Sequence, residues 1–339
     1  MRRWAISLGV VLVSVTAACS SVSGPAGAPP RRLSADQITP AAALRVFDTF
    51  LERYRELNKK YSPALNDAIT SGWLNDEVAF NAATYPPGEQ GIIMLGHGGP
   101  SGQRVFVPRL ARYPRWFLAS GNLDGTASTA NLYVLTQPAP GAPWKAVAQV
   151  SDFEGTGPWQ TPVLDSAGYA TAVPLSQPGL VAAPSQLASL YLRQLDSGSG
   201  HMFPDFKLNP GPGYVSEAKS GKLGWHVSIR WLRYPQHVYA LAAADGRVIV
   251  IFPEYQQFTW TALSARAKLL PSDNNLVGEF FYGPWPEFAR LARVASVRKG
   301  LHISLDTVYD FLAVDGPASE ATGVPLTNVG TDYVGASAN

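Results

Sequence analysis

The chain is short of cysteine: it has one, Cys19, in 339 residues. No disulfide can staple the fold, so its cores must hold it together. Histidine is sparse as well. The five are His97, His201, His226, His237 and His302; no two stand four apart, and no H-E-x-x-H or Cys–His pair occurs, so no metal site is expected. Neither G-x-x-x-x-G-K-[ST] nor G-x-G-x-x-G is present, which argues against a nucleotide, and no cofactor is expected. An excess of one charge is missing too. The net charge of +2 comes from Arg2 and Arg3; without them 27 − 2 = 25 basic side chains face 25 acidic ones. That balance leaves no basic footprint for nucleic acid. No apolar run is long enough to cross a bilayer of ~30 Å as a helix.

What is present begins at the N-terminus. Arg2 and Arg3 form a short positive region, Trp4 to Val15 an apolar one, and Thr16-Ala17-Ala18-Cys19 closes the pattern with small residues and the cysteine. This end resembles the lipobox of bacterial lipoproteins, although Thr16 stands where that family usually has Leu. The resemblance implies residues 1–18 as a signal peptide and Cys19 as the lipidated N-terminus of the mature chain. An ordinary secretory signal, cut nearby and leaving Cys19 a free thiol, is the alternative. Ser20 to Arg32 is rich in Ser, Gly, Ala and Pro and lacks large apolar side chains that would fold it, so residues 19–36 read as a flexible tether.

A self-match organises the rest. Arg112 to Gly125 reads RYPRWFLASGNLDG and Arg233 to Gly246 reads RYPQHVYALAAADG, with an offset of 121 and six of fourteen positions identical. A match at fixed offset suggests duplication. Each copy ends in Asp-Gly, a hairpin turn signal. Ahead of the first copy, Thr39-Pro40 reads as a cap with proline at the first helical position. Leu44, Phe47, Leu51 and Tyr54 follow at helical spacing as far as Lys60. A turn or short helix is expected over 66–73. Short strands follow at 105–107, 116–119, 132–135 and 144–150, the last with Trp144, Ala146, Ala148 and Val150 on one face. In the second unit a helix follows Pro184. Trp225, Val227, Ile229 and Trp231 then alternate with His226, Ser228 and Arg230, which read as a solvated face. Strands are expected at 238–241, 248–252, 258–262 and within 301–314, with a helix over 286–297. The tail is polar and Gly-rich and reads as loosely ordered at its end.

One helix followed by an antiparallel meander, twice, is an α+β pattern. It looks like two tandem cystatin-like domains, each a helix packed on a curved antiparallel sheet, the class of the nuclear transport factor and ketosteroid isomerase superfamily. The lipobox, the helix-plus-RYPRWF layout and the second Tyr-Pro strand resemble an actinobacterial family of membrane-anchored lipoproteins without a defined biochemical function. On this reading residues 37–178 form the first domain, 179–325 the second and 326–339 a tail. The family resemblance implies an extracytoplasmic location at the membrane, through a lipid anchor, and a binding or scaffolding role in the cell envelope. An envelope protein or a small ligand is the expected partner.

Catalytic signals are weak. Gly96-His97-Gly98-Gly99-Pro100 is similar to an oxyanion-hole loop, but no G-x-S-x-G elbow follows it, so it reads as a glycine-rich loop. Asp152 and Glu154 read as loop carboxylates. The pairs Arg109/Arg112 and Arg230/Arg233 read as local partners of carboxylates, with cationic edges facing acidic headgroups or a protein as the alternative. Trp116, Trp144, Trp231 and Trp260 read as core first, and as pocket-lining residues where the sheets curve. The leading expectation is a non-enzymatic lipoprotein. The alternative is a small-molecule enzyme of the isomerase-like cone type, using a pocket carboxylate as base.

Overall fold

The structure, a computed structural model, describes residues 37–84, 101–122, 131–151, 161–197, 202–203, 224–233, 238–243, 246–265, 298–320 and 323–338. Cys19, the tether, the 96–100 loop, Asp152, Glu154 and the helix expected at 286–297 lie outside these residues.

Helix α1 spans Pro40–Lys59, with the Thr39 side chain accepting the Ala42 N–H at 3.2 Å and Pro40 at its first position. Residues Ala43, Phe47, Phe50, Leu51, Tyr54 and Leu57 form its buried stripe. Two further helices follow, α2 (Pro63–Ile69) and α3 (Trp73–Thr84). The sequence predicts one turn or short helix around 66–73; α3 is a full helix beyond it. Its apolar residues Trp73, Leu74 and Val78 join the core, while Glu77, buried on the same face, interrupts the stripe that would have announced it.

Strands β1 (Ser101–Phe106), β2 (Arg115–Asn122), β3 (Asn131–Gln137) and β4 (Lys145–Ser151) form an antiparallel sheet in the order 1-2-3-4. One face meets α1. Tyr133 packs against Phe47, Phe50 and Tyr54 with ring centroids 5.2–6.3 Å apart, and the Tyr54 hydroxyl donates to Gln149 Oε1 at 3.5 Å. The uniform alternation expected over 144–150 is corrected by a bulge. Ala146 pairs with Leu135 but Ala148 with Val134, so the extra residue moves Trp144 and Ala146 to the helix side, away from Ala148 and Val150.

In the second part, α4 (Leu187–Ser197) follows a single 3-10 turn at Pro184–Gln186. Strands β5 (Trp225–Arg233), β6 (Tyr239–Ala242), β7 (Val248–Ala262), β8 (His302–Asp315) and β9 (Leu326–Ala338) form a second antiparallel sheet. β7 is the long central member. β6 pairs with its first residues and β5 with Glu254–Ala262, so the two share one edge. Both copies of the repeat therefore lead into hairpins, β2–β3 and β6–β7. β9 corrects the expectation of a loose tail. It pairs with β8 along its length, with two bulges that absorb an irregular sequence. Pairing with the open edge of β8 satisfies backbone groups and overrides the weak strand propensity of Gly, Asn and Asp.

The sheets pack back to back. Alternate residues of the second sheet, Tyr239, Leu241, Ala243, Ile249, Ile251, Val308 and Leu312, belong to the same core as α1–α3 and the first sheet. Their neighbours Ala240, Val248, Val250, Phe252, Phe311 and Ala313 join α4 in a second core. A period of two thus sorts one sheet into two cores. The layers run α1, first sheet, second sheet and α4, with α3 lying against β4 and β9. Between the sheets Trp116 meets the Tyr239 ring edge-on at 5.1 Å, and the Asp310 carboxylate accepts the Gln149 N–H of β4 at 3.0 Å. The segment before residue 178 joins both sheets: Ala170 N–H bonds Val107 O, and Ala242 N–H bonds Thr171 O, each at 2.9 Å.

Candidate functional site

The face of the second sheet that α4 covers carries the polar groups of greatest interest. In one row across β5, β7 and β8 stand Trp231, Gln256 and Thr307. Glu254 lies two residues along β7 on the same side. Gln256, Thr307 and Glu254 are all buried. α4 frames them with Tyr191, whose ring stands edge-on to Trp231 at 6.1 Å and tilted on Phe311 at 4.5 Å. Phe252 stacks on Phe311 at 5.2 Å and Phe203 closes on Tyr191 at 5.5 Å. An aromatic frame around a carboxylate, an amide and a hydroxyl can orient a ligand and move a proton. Taking a carboxylate out of water is costly, and Arg233 stands opposite Glu254 in the register of β5 on β7.

The same sheet's other face extends past the first sheet and is wet. His226, Ser228 and Arg230 are exposed, as the alternation of β5 predicts. Their neighbours bond across strands: Gln257 Nε2 donates to Asp306 at 3.0 Å, and the Thr259 and Ser304 hydroxyls meet at 3.3 Å. Thr261 Oγ1 lies 2.9 Å from His302 Nδ1. Among the described residues no three metal-ligating side chains cluster, and no helix is long and apolar enough to cross a membrane.

The tryptophans divide. Trp231 and Trp260 share the α4 face of the second sheet, four residues apart by register, or about 13 Å. Trp116 lies between the sheets, and Trp144 packs on Phe117 at 5.0 Å on the helix side of the first sheet. The four do not meet. Arg109 has a local carboxylate: its guanidinium bonds Asp165 Oδ2 at 2.7 and 3.0 Å and stacks over Tyr169. The Tyr169 N–H and then Arg109 hold the Asp165 carboxyl below its usual range. Glu254, Gln256 and Thr307 escape a motif search, yet the period of two marks the first two. Stepping back from Ala262, Trp260 and Phe258 lands on Gln256 and Glu254, polar residues at core positions.

A family model described as a domain of unknown function (DUF8094) matches residues 34–278. The chain belongs to this family. The match starts within the expected tether and runs through the expected boundary at 178/179. The chain is also similar to an uncharacterized lipoprotein of Streptomyces coelicolor, 26% identical over 280 residues that cover 79% of this chain and 80% of the relative. No solved structure matches the chain.

Proposed function

We propose that this DUF8094 protein is a membrane-anchored extracytoplasmic lipoprotein that binds or scaffolds in the cell envelope without catalysing a reaction. The observation that carries this reading is Thr16-Ala17-Ala18-Cys19 at the end of a short apolar segment. Its similarity to a relative described as a lipoprotein supports it. Cys19 takes the lipid, and residues 20–36 hold the folded part off the bilayer. By random-coil scaling of ~5–6 Å × √n, this tether spans roughly 20–25 Å. The two units descend from one cystatin-like ancestor. A helix on one face of each antiparallel sheet, α1 on the first and α4 on the second, supports that descent. The partner is an envelope protein or a small ligand. Replacing Cys19 with Ala and fractionating cells tests the anchor: release from the membrane is expected, and full retention sinks the proposal.

Glu254 favours a second reading, an enzyme of the isomerase-like cone type with this carboxylate as its base. Burial beside Trp231, Gln256 and Thr307 supports it. Carbon-13 NMR of the Glu254 carboxyl separates the two readings. A pKa raised by two units or more favours acid–base chemistry, and an ordinary or depressed value removes it.

A further inference from the structure

Asp315 closes β8 and is fully buried. It pairs with Val248 and so faces α4 along with Phe311 and Ala313. Its Oδ2 accepts the Ala182 N–H at 3.3 Å. Ala182 belongs to a strap, residues 179–183, that leads directly into the 3-10 turn and α4. The strap is fastened by a few backbone bonds besides: Val181 N–H to Gly316 O at 3.0 Å and Ala318 N–H to Gly179 O at 2.8 Å. Beyond it, α4 lays Tyr191 on Phe311 and Trp231. Asp315 therefore stands at the root of the element that covers Glu254, Gln256 and Thr307.

We propose that Asp315 is a proton-operated latch, fastening the strap and α4 to the second sheet when protonated and easing them when ionised. Burial raises its carboxyl from 3.8 to about 6, against the N–H groups of Ala182, Val181 and Gly316, which pull it down. No charged side chain contributes to the shift. The described residues of the strap, Val248 of β7 and the Gly316–Pro317 turn carry no charge. The charged residues of the adjoining elements are Glu320 in the 3-10 turn Ala318–Glu320, Arg193 and Asp196 on α4, and Arg247, which precedes Val248 and so alternates to the other face. A folded pKa above the unfolded value means that the closed form binds the proton more tightly than the open form. Closure is then strongest below pH ~4, weakens through the window from 3.8 to about 6, and is level above it. Acid tightens the cover and neutral pH loosens it. The latch stands whether or not the covered face proves to bind a ligand.

Amide hydrogen exchange on the full chain from pH 4 to 7.5, corrected for intrinsic rates, tests the latch. Protection at Val181, Ala182 and the first turn of α4 is expected to fall by up to about 100-fold across the window, the factor that two pKa units allow. Protection in β2 and β3 is expected to stay level. The Asp315→Asn chain, neutral throughout, is expected to show level protection at the strap. Should that variant not fold, the carboxyl carbon of Asp315 in the unaltered chain reads the same property and is expected to titrate near pH 6. Protection at the strap that does not change with pH overturns the latch, as does an Asp315 that titrates near 4. A pH dependence that survives in Asp315→Asn overturns it equally.

Discussion

Gly121 explains a difference between the two copies of the repeat and provides a sharp test of the α1 packing. It lies on β2 beneath α1, where a Cβ would sit 3.2 Å from Phe47 Cε1 and 3.5 Å from both Phe47 Cζ and Gln103 Cγ. Carbon atoms prefer 3.5–4.0 Å. The Phe47 ring has little room to retreat, since it is fully buried between Phe50 and Tyr133. Gly121→Ala should therefore overpack the site at a cost of ~1–3 kcal/mol, offset by ~0.5–1 kcal/mol because alanine loses less backbone freedom than glycine. The expected net loss is about 1 kcal/mol, measured by urea denaturation and as a fall of about 2 °C in the melting midpoint. Shortening the ring in Phe47→Leu removes the atoms that the Cβ meets, so the double variant should be more stable than additivity predicts by about 1 kcal/mol. Ala242, which stands 121 residues after Gly121 on the α4 face of the second sheet, is the control. Ala242→Gly should cost ~0.5–1 kcal/mol through chain entropy alone. A Gly121→Ala chain as stable as the parent, or strict additivity in the double variant, would refute this account of the packing.

Three further outcomes are expected. Burial first and the Asp310 charge second raise the pKa of the Tyr239 hydroxyl. Asp310→Asn should therefore lower it while leaving it above the ordinary value, read from the Tyr239 ring-carbon shift in an alkaline titration. Arg109→Gln should let the Asp165 carboxyl titrate at higher pH. The value should still lie below the usual range, because the Tyr169 N–H remains, and carboxyl-carbon NMR measures it. Thr39→Ala removes the side-chain acceptor for Ala42 N–H at the start of α1. It should cost ~1 kcal/mol in urea denaturation.

Local signals made some elements legible. Thr39-Pro40 announces α1, Pro184 the entry to α4, and the alternation from Trp225 to Trp231 the strand β5 with its wet face. Bulges defeat a simple period, so the faces of β4 could not be assigned from Trp144, Ala146, Ala148 and Val150. β9 has little intrinsic strand character and depends on β8, which precedes it by a turn that its own residues do not specify. The shared core was invisible for a different reason. Leu241 and Ile249 alternate correctly for any half-buried strand, and nothing local tells whether a helix or another sheet will cover them. Glu254 and Gln256 were legible only by counting back in twos from Trp260.

The pairing of the two sheets also constrains the order in which the chain can be completed. The bond from the Gln149 amide to Asp310 joins residues 161 apart. Leu241, Ile251 and Leu312 likewise complete a core begun at Phe47 and Phe117. During synthesis the first sheet must therefore wait with one apolar face uncovered until β8 has emerged. At ~5–20 residues per second that wait lasts on the order of ten seconds or more. A chain divided after Pro178 would keep that face open permanently. Each half should then collect in aggregates or on a chaperone, and recover only when the other half is supplied.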